Sequence, residues 1–360
     1  MNKKTLTIDA RMIDDSGIGT YLKNILPYLL PQFKVTLLGN KERLSQYVFH
    51  NNCQVIKFNA KIYSVKEQLL FPLKIPKTDF FWSPHFNTPI LPIKAKKRIT
   101  TIHDVNHLTT MNKMTFLKKI YSKYLYTNAI KRSKKIITVS NFSKNEIVKY
   151  TKAKINDIAV IYCGVNECFS VCEPKEIVLP EKYILFVGNV KPHKNLKTLL
   201  EAYGHLDKEL QHKYKLVILG KKSGFITPDR GVFEFIEKKA LTKSVFFTGY
   251  IEDDVVPFVY KNAQIFVFPS LYEGFGLPLI EAMTVGVPVL SSNAASLPEI
   301  GGEAVLYFNP KSSEELKVKI ELILLDHSLQ DEYINKGFKR VKSFSWKKSA
   351  EKHISLIKEA

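Results

Sequence analysis

What the chain lacks narrows its function first. Its four cysteines, Cys53, Cys163, Cys168 and Cys172, form no C-x2-C pair. That excludes the usual spacing of a structural zinc site and fits free thiols in a reducing compartment. No apolar run approaches the roughly 18 residues a membrane-crossing helix needs. The opening MNKKTLTIDARM is too short, and too polar in its middle, for a signal peptide, so the chain is expected to stay in the cytosol. Repeats and low-complexity segments are also missing. Acidic residues are scarce in one half only. Residues 1–170 hold 28 Lys and Arg against 10 Asp and Glu, whereas residues 171–360 hold 26 against 24. Nearly all of the net charge of +20 therefore belongs to the first half, where nucleic acid or an anionic membrane surface could balance it.

What is present describes a globular enzyme-sized protein. The 360 residues, 45% hydrophobic and 24% charged, suffice for two domains with separate cores. Short β-rich runs alternate with helical stretches throughout. The first half carries LTIDA (6–10), KVTLLG (34–39), FFWS (80–83), RITTIHD (98–104), KIITVS (135–140) and IAVIY (158–162). The second carries YILFVG (183–188), KLVILG (215–220), VFFTG (245–249), QIFVFPS (264–270), VPVLSS (287–292) and AVLYF (304–308). Unbroken apolar strands separated by helices predict parallel sheets buried on both faces. Two series predict an α/β protein of two doubly wound domains, 1–170 and 171–343, with a join near 164–183 where periodicity lapses. Ligands of such sheets bind beyond the carboxyl ends of the strands, and polar or glycine-rich loops follow several strands in both halves. A site in a cleft between two domains is the expectation.

The most informative stretch is PSLYEGFGLPLIEAMTVGVPV (269–289), with Glu273 and Glu281 eight positions apart. Gly274 and Gly276 permit a sharp turn close to a ligand, Pro278 suits the first turn of a helix reaching about Val285, and Gly286 suits its end. Amides near Gly276, Leu277 and Leu279 would then make an anion site at the helix start. Glu281 could accept two hydrogen bonds from a vicinal diol such as a ribose, and Glu273 could reach a second sugar. On the pair alone, favourably placed acids at a helix start are the plainer explanation.

This stretch, through FVFPSLYEGFGLPLIEAMTVGVPVLSSNAASLPEIGGEAVLYFNP (266–310), resembles the E-x7-E motif of glycosyltransferase family 4, retaining enzymes of the GT-B fold that use nucleotide sugars. SGIGTYL, TIHDV, VSNFSKNEI and FVGNVKPHKNL extend the resemblance over nearly the whole chain. It implies two Rossmann-like domains, the first binding acceptor and completed by the C-terminal segment 344–360, the second binding the donor. It implies that Glu273 contacts the transferred sugar, Glu281 the ribose and Lys194 the diphosphate. His103 matches an active-site histidine near the transferred sugar. Gly17 and Gly19 match a first-domain glycine loop, and Gly249, Tyr250 and Ile251 resemble a segment whose backbone borders the base. Gly274, Phe275, Gly276 and Leu277 complete the donor loop. Many relatives carry arginine where this chain has Asn189; either Lys191 supplies that cation or the site uses less charge.

The implied activity is transfer of a hexose or deoxyhexose, mannose-like, to a glycan or lipid-linked acceptor in surface polysaccharide synthesis. It needs no metal and no cofactor, the nucleotide diphosphate sugar being a co-substrate. An inactive nucleotide-sugar-binding protein of the same fold is the alternative; nothing suggests the pyridoxal-phosphate site of a phosphorylase. His85 either lines the acceptor side or packs in its loop. Asp104 either orients the His103 imidazole or forms a turn, His193 is a neighbour of Lys194, and Trp82 and Trp346 pack. Within 113–135, Phe116, Leu117, Ile120, Tyr121, Tyr124 and Leu125 are interleaved with Lys118, Lys119, Lys123, Lys131 and Arg132. That pattern is either a core-packed helix with a solvated face or a face for anionic lipid at the inner side of the cell membrane. No nucleic-acid-binding motif accompanies it.

Overall fold

The computed structural model describes residues 3–109, 115–171, 176–220 and 231–360, and of Ser16 only the backbone. Cys172 and Lys113 fall outside these. The chain divides into two compact units, one of residues 1–164 with 345–360, the other of residues 165–344.

The first unit is built on seven parallel strands: β1 (Thr5–Asp9), β2 (Lys34–Gly39), β3 (Gln54–Lys57), β4 (Thr78–Ser83), β5 (Ala95–Thr101), β6 (Lys135–Thr138) and β7 (Ile158–Val160). They lie in the order β3-β2-β1-β4-β5-β6-β7. β1 is central because Leu6, Thr7, Ile8 and Asp9 are all buried, as a strand covered on both faces requires. β3 is the strand the alternating pattern did not reveal. It is a four-residue edge strand, QVIK, with exposed ends and a partner on one side only. None of its four residues is fully buried, and its sequence lacks the apolar run that marks the other strands.

The C-terminal helix Trp346–Glu359 belongs to this unit and packs along helix Ser16–Leu29. Lys358 donates to Gln32 at 2.8 Å. Where the chain leaves the unit, a Cβ on Gly164 would stand 2.1 Å from the backbone nitrogen of Trp346. Only glycine lets the outgoing and returning backbones lie that close.

The second unit has six parallel strands: β8 (Tyr183–Val187), β9 (Lys215–Leu219), β10 (Val245–Gly249), β11 (Ile265–Phe268), β12 (Val289–Ser292) and β13 (Leu306–Phe308). Their order is β10-β9-β8-β11-β12-β13. Residues of alternate orientation feed two cores, Ile184 and Phe186 into one, Tyr183 and Leu185 into the other. No helix among the described residues is long and apolar enough to cross a membrane.

Candidate active site

In both sheets the chain runs outward from a central strand, then returns to the other side of it. The reversal falls between β8 and β11 in the second unit and between β1 and β4 in the first. Loops leaving such neighbouring strands diverge and open a crevice.

In the second unit the loop after β8 carries Lys194 on a short turn, Pro192–Lys194, ended by Asn195 in the left-handed conformation (φ 56°). The Asn195 carboxamide donates to the carbonyls of Pro269 (3.0 Å) and Pro310 (2.8 Å), and the Leu271 amide donates to the His193 carbonyl (2.8 Å). These bonds tie the β8 loop to the β11 loop. Across the tie, Lys194 Nζ meets Glu273 Oε1 at 2.6 Å, with about one-sixth of each side chain exposed (17% and 15%). The ammonium also lies 5.3 Å from the centre of the Phe268 ring. Lys194 has three donors and Glu273 engages one. Lys191 is half-buried beside them; burial lowers its pKa, the Lys194 charge adds to that, and Glu273 opposes it. Asn189 sits in the same loop, its carbonyl accepting from the Lys191 amide at 2.8 Å.

The β11 loop then turns into helix Leu277–Thr284 at Gly276, whose φ of +108° an L side chain rarely adopts. A Cβ there would also stand 2.9 Å from Leu297 Cδ2. The Ser296 hydroxyl reaches the carbonyls of Glu273 (3.0 Å) and Phe275 (2.8 Å), fixing the loop from below. One expected anion donor is otherwise engaged. The Leu279 amide donates to the Gly276 carbonyl at 3.0 Å, because the glycine turn closes on itself. The Phe275 side chain is buried edge-on against Phe344, with ring centroids 5.7 Å apart.

Glu281 lies on that helix with Oε2 accepting from the Tyr260 hydroxyl at 3.0 Å. Burial pushes its carboxyl up to about 7; the Tyr260 bond opposes the rise and the Asp253 charge adds to it. Gly249 ends β10 at the sheet edge, and Tyr250 and Ile251 follow it. Tyr250 is exposed and Ile251 packs on the core.

In the first unit, the loop after β1 holds Gly17 and Gly19 at the start of helix Ser16–Leu29. A Cβ on Gly19 would stand 2.3 Å from the Ile13 carbonyl oxygen, whereas one on Gly17 meets nothing within 4 Å. Gly19 is thus required by packing, and Gly17 leaves open space over the backbone. His103 follows β5. Its Nε2 lies 2.9 Å from the Pro84 carbonyl, which can only accept, so Nε2 carries the proton and Nδ1 presents a lone pair. Burial lowers its pKa, against the Pro84 bond and the Asp104 charge, so the ring is neutral near pH 7. Asp104 proves to be a turn former, its Oδ1 accepting from the Asn106 amide at 2.8 Å. His85 uses both nitrogens locally, Nδ1 with the Asn87 amide (3.2 Å) and Nε2 with the Tyr63 hydroxyl (3.1 Å). Trp82 and Trp346 are both buried.

One cluster was not read from the sequence. Arg11, at the end of β1, is paired with Asp9 and Glu67, both at 2.6 Å, and its guanidinium stacks over Phe58 (4.4 Å) and Phe71 (4.7 Å). Glu67 also accepts from the Asn87 carboxamide (2.8 Å) and the Tyr63 amide (2.8 Å). This buried network fixes the loops after β1, β3 and β4 relative to one another. Apart from Asp9, its members are remote from Arg11 in sequence and carry no local motif. Among the described residues no three His, Cys, Asp or Glu side chains gather as a metal site.

Two doubly wound units, each with charged loops at its reversal point, have the architecture of the GT-B fold. The chain belongs to glycosyltransferase family 4: residues 16–167 match the family model of that name, and residues 173–340 match the model of group 1 glycosyl transferases. It is 30% identical over 291 residues to the O-antigen chain mannosyltransferase B of Escherichia coli, covering 78% of this chain and 74% of that one. It is also 30% identical over 295 residues to the serotype-specific mannosyltransferase WbdA of Escherichia coli, covering 77% of this chain but 35% of that longer one. The fold is similar to that of a sucrose-phosphate synthase from Thermosynechococcus elongatus, with TM-score 0.78, 18% identity and 99% of both chains covered.

Proposed function

We propose that the protein transfers a mannose or related hexose from a nucleotide diphosphate sugar to a glycan or lipid-linked acceptor in surface polysaccharide synthesis, with retention of anomeric configuration. The observation that carries the reading is the Lys194–Glu273 pair at the β8/β11 reversal, backed by a glycine turn into a helix start. A diphosphate is matched by the remaining Lys194 donors, by Lys191 and by loop amides. Glu273, freed from part of its pairing when phosphate draws Lys194 away, can turn to the sugar hydroxyls. Glu281 receives the ribose diol. No covalent nucleophile is invoked: the leaving diphosphate is stabilised by charge and takes the acceptor proton on the same face. His103, neutral with its Nδ1 lone pair available, serves as a hydrogen-bond acceptor to the sugar. The O-antigen mannosyltransferase relatives support mannose and a polysaccharide acceptor.

Thermal-shift measurements with UDP-, GDP- and dTDP-sugars, then a transfer assay with anomeric NMR of the product, test this reading. Binding without hydrolysis or transfer would favour an inactive sugar-nucleotide-binding protein. An inverted product would overturn retention.

The acceptor side is proposed to work at the inner face of the membrane. Phe116 and Leu117 are each 77% exposed on helix Phe116–Arg132, with Ile120, Tyr121 and Tyr124 also exposed, while Leu125, Tyr126 and Ala129 hold the helix to the core. Val65, Leu69 and Leu73 of helix Val65–Lys74 are exposed as well. Apolar residues facing water among lysines suit a surface of anionic lipid.

A further inference from the structure

We propose that His353, on the C-terminal helix, is a positioning residue for His103, acting through Tyr21. The inference rests on the reading of His103 as an active-site group and adds a residue that no motif of the chain marks.

Four side chains from separate parts of the first unit meet in its interior: Trp82 at the end of β4, Thr101 at the end of β5, Tyr21 on helix Ser16–Leu29 and His353 on helix Trp346–Glu359. All are essentially sealed from solvent. The Trp82 indole nitrogen lies 3.0 Å from Thr101 Oγ1, which lies 3.2 Å from the Tyr21 hydroxyl. That hydroxyl is hydrogen-bonded to His353 Nε2, and His353 Nδ1 lies 2.7 Å from the Ser349 carbonyl oxygen.

Both ends of this chain have a fixed sense, since an indole N–H can only donate and a carbonyl can only accept. A neutral ring at His353 then sets the direction in between, because its one N–H goes to Ser349 and leaves Nε2 to accept. Trp82 donates to Thr101, Thr101 to Tyr21, Tyr21 to His353 Nε2, and His353 Nδ1–H to Ser349. Every donor and acceptor is used once, and the scheme requires a neutral His353 protonated on Nδ1. Burial agrees, lowering the pKa of His353 to about 4 against the Ser349 bond.

The consequence for the site lies in the Tyr21 ring. It stands edge-on to His103, with centroids 4.9 Å apart and planes at 86°. Trp82, Trp346 and His353 enclose the same ring at 5.9, 6.0 and 5.5 Å. His103 is held at one end by the Pro84 carbonyl and along its flank by this ring. Withdrawal of the Tyr21 ring would break its buried bond to His353, and the three enclosing rings hold its plane. The last helix of the chain thus sets the orientation of a histidine that follows β5.

Nitrogen-15 imidazole NMR of the intact protein is the first test. Wild type is expected to show His353 neutral and protonated on Nδ1 throughout pH 5.5–8, the tautomer less favoured in water. A His353 that titrates near pH 6.5, or one protonated on Nε2, overturns the chain. The second test compares His353→Leu with His353→Gln, whose carboxamide oxygen can replace Nε2 as acceptor from Tyr21. In the leucine variant the His103 ring-proton shifts should move. Turnover of whichever of GDP-mannose, UDP-glucose or a dTDP-hexose the protein uses should lose about ten- to a hundredfold in kcat, with little change in donor KM. The glutamine variant should restore both. Unmoved His103 shifts and unchanged kcat in a folded leucine variant would refute the coupling. If the leucine variant does not fold, the wild-type tautomer and the glutamine variant still decide. His103→Ala separates the two readings: normal turnover there rejects His103 as an active-site group, whereas the spectra judge its link to His353 independently.

Discussion

At the scale of single residues, the chemistry concentrates on Lys194 and Glu281. Replacing Lys194 by alanine removes one charge-assisted donor from the diphosphate and leaves the partly buried Glu273 carboxylate unpaired. The expected loss is about 2–4 kcal/mol of transition-state stabilisation, or roughly 30- to 1,000-fold in kcat/KM, in a protein that still unfolds cooperatively. A folded variant with near-normal kcat/KM would remove Lys194 from the mechanism. Because cationic side chains and amides are assigned to the diphosphate, EDTA should leave most activity in place. Complete loss restored by manganese would overturn that assignment.

Glu281 gives a pH signature. Its carboxyl titrates at about 7 in the free protein, and a diol donates to the ionised form. Nucleotide affinity should therefore fall as pH drops through 7, by about tenfold between pH 8 and 6. Glu281→Gln should bind more weakly at pH 8 and lose most of that slope. Folding shows the opposite trend. With its folded pKa above that of an unfolded glutamate, Glu281 favours the folded state most at low pH and ceases to do so as pH rises through 7, so the glutamine variant should be relatively more stable above neutrality. Titrations with UDP and GDP at several pH values read the first effect and thermal unfolding reads the second. Identical slopes for wild type and variant would exclude the ribose role.

Among the elements, helix Phe116–Arg132 exposes apolar and cationic side chains together. Each lysine held near an anionic surface contributes about 1 kcal/mol within roughly a Debye length. Charge reversal at Lys118, Lys119 and Lys123 should sharply reduce binding to vesicles containing anionic lipid, while leaving turnover of a soluble acceptor unaffected. Phe116→Ser with Leu117→Ser should weaken docking even at low salt, because it removes apolar burial rather than charge. Equal affinity for neutral and anionic vesicles, or unchanged docking in both variants, would return this helix to a solvated face. The helix after the β11 loop illustrates the reverse situation. Gly276, Pro278 and Gly286 fixed its ends locally, so its span was readable before any tertiary contact was known.

Across the whole molecule, two units with separate cores should unfold in two transitions. A nucleotide diphosphate at 100 times its dissociation constant should stabilise only the unit of residues 165–344, by about 2.7 kcal/mol. Deleting residues 346–360 should lower only the other transition, since helix Trp346–Glu359 supplies buried Trp346, Ala350, His353 and Ile357 to that unit. Calorimetry reads both, and a single transition shifted by nucleotide as a whole would contradict the division.

The sequence by itself determined twelve of the thirteen described strands, the doubly wound class and the Glu273–Glu281 loop. Each rests on residues close together in the chain: apolar runs, glycine turns and a helix start. Tertiary structure decided what depends on chain-distant partners. Edge strand β3 is recognisable only through β2. Arg11 is charged and buried only because Glu67 and Asp9 meet it there. The Leu279 amide is consumed by a turn whose closure no motif announces. His353 acquires its place from Tyr21, 332 positions away. Local sequence sets backbone preference and periodicity, but the burial that turns a polar side chain into a fixed donor or acceptor exists only once remote segments close over it.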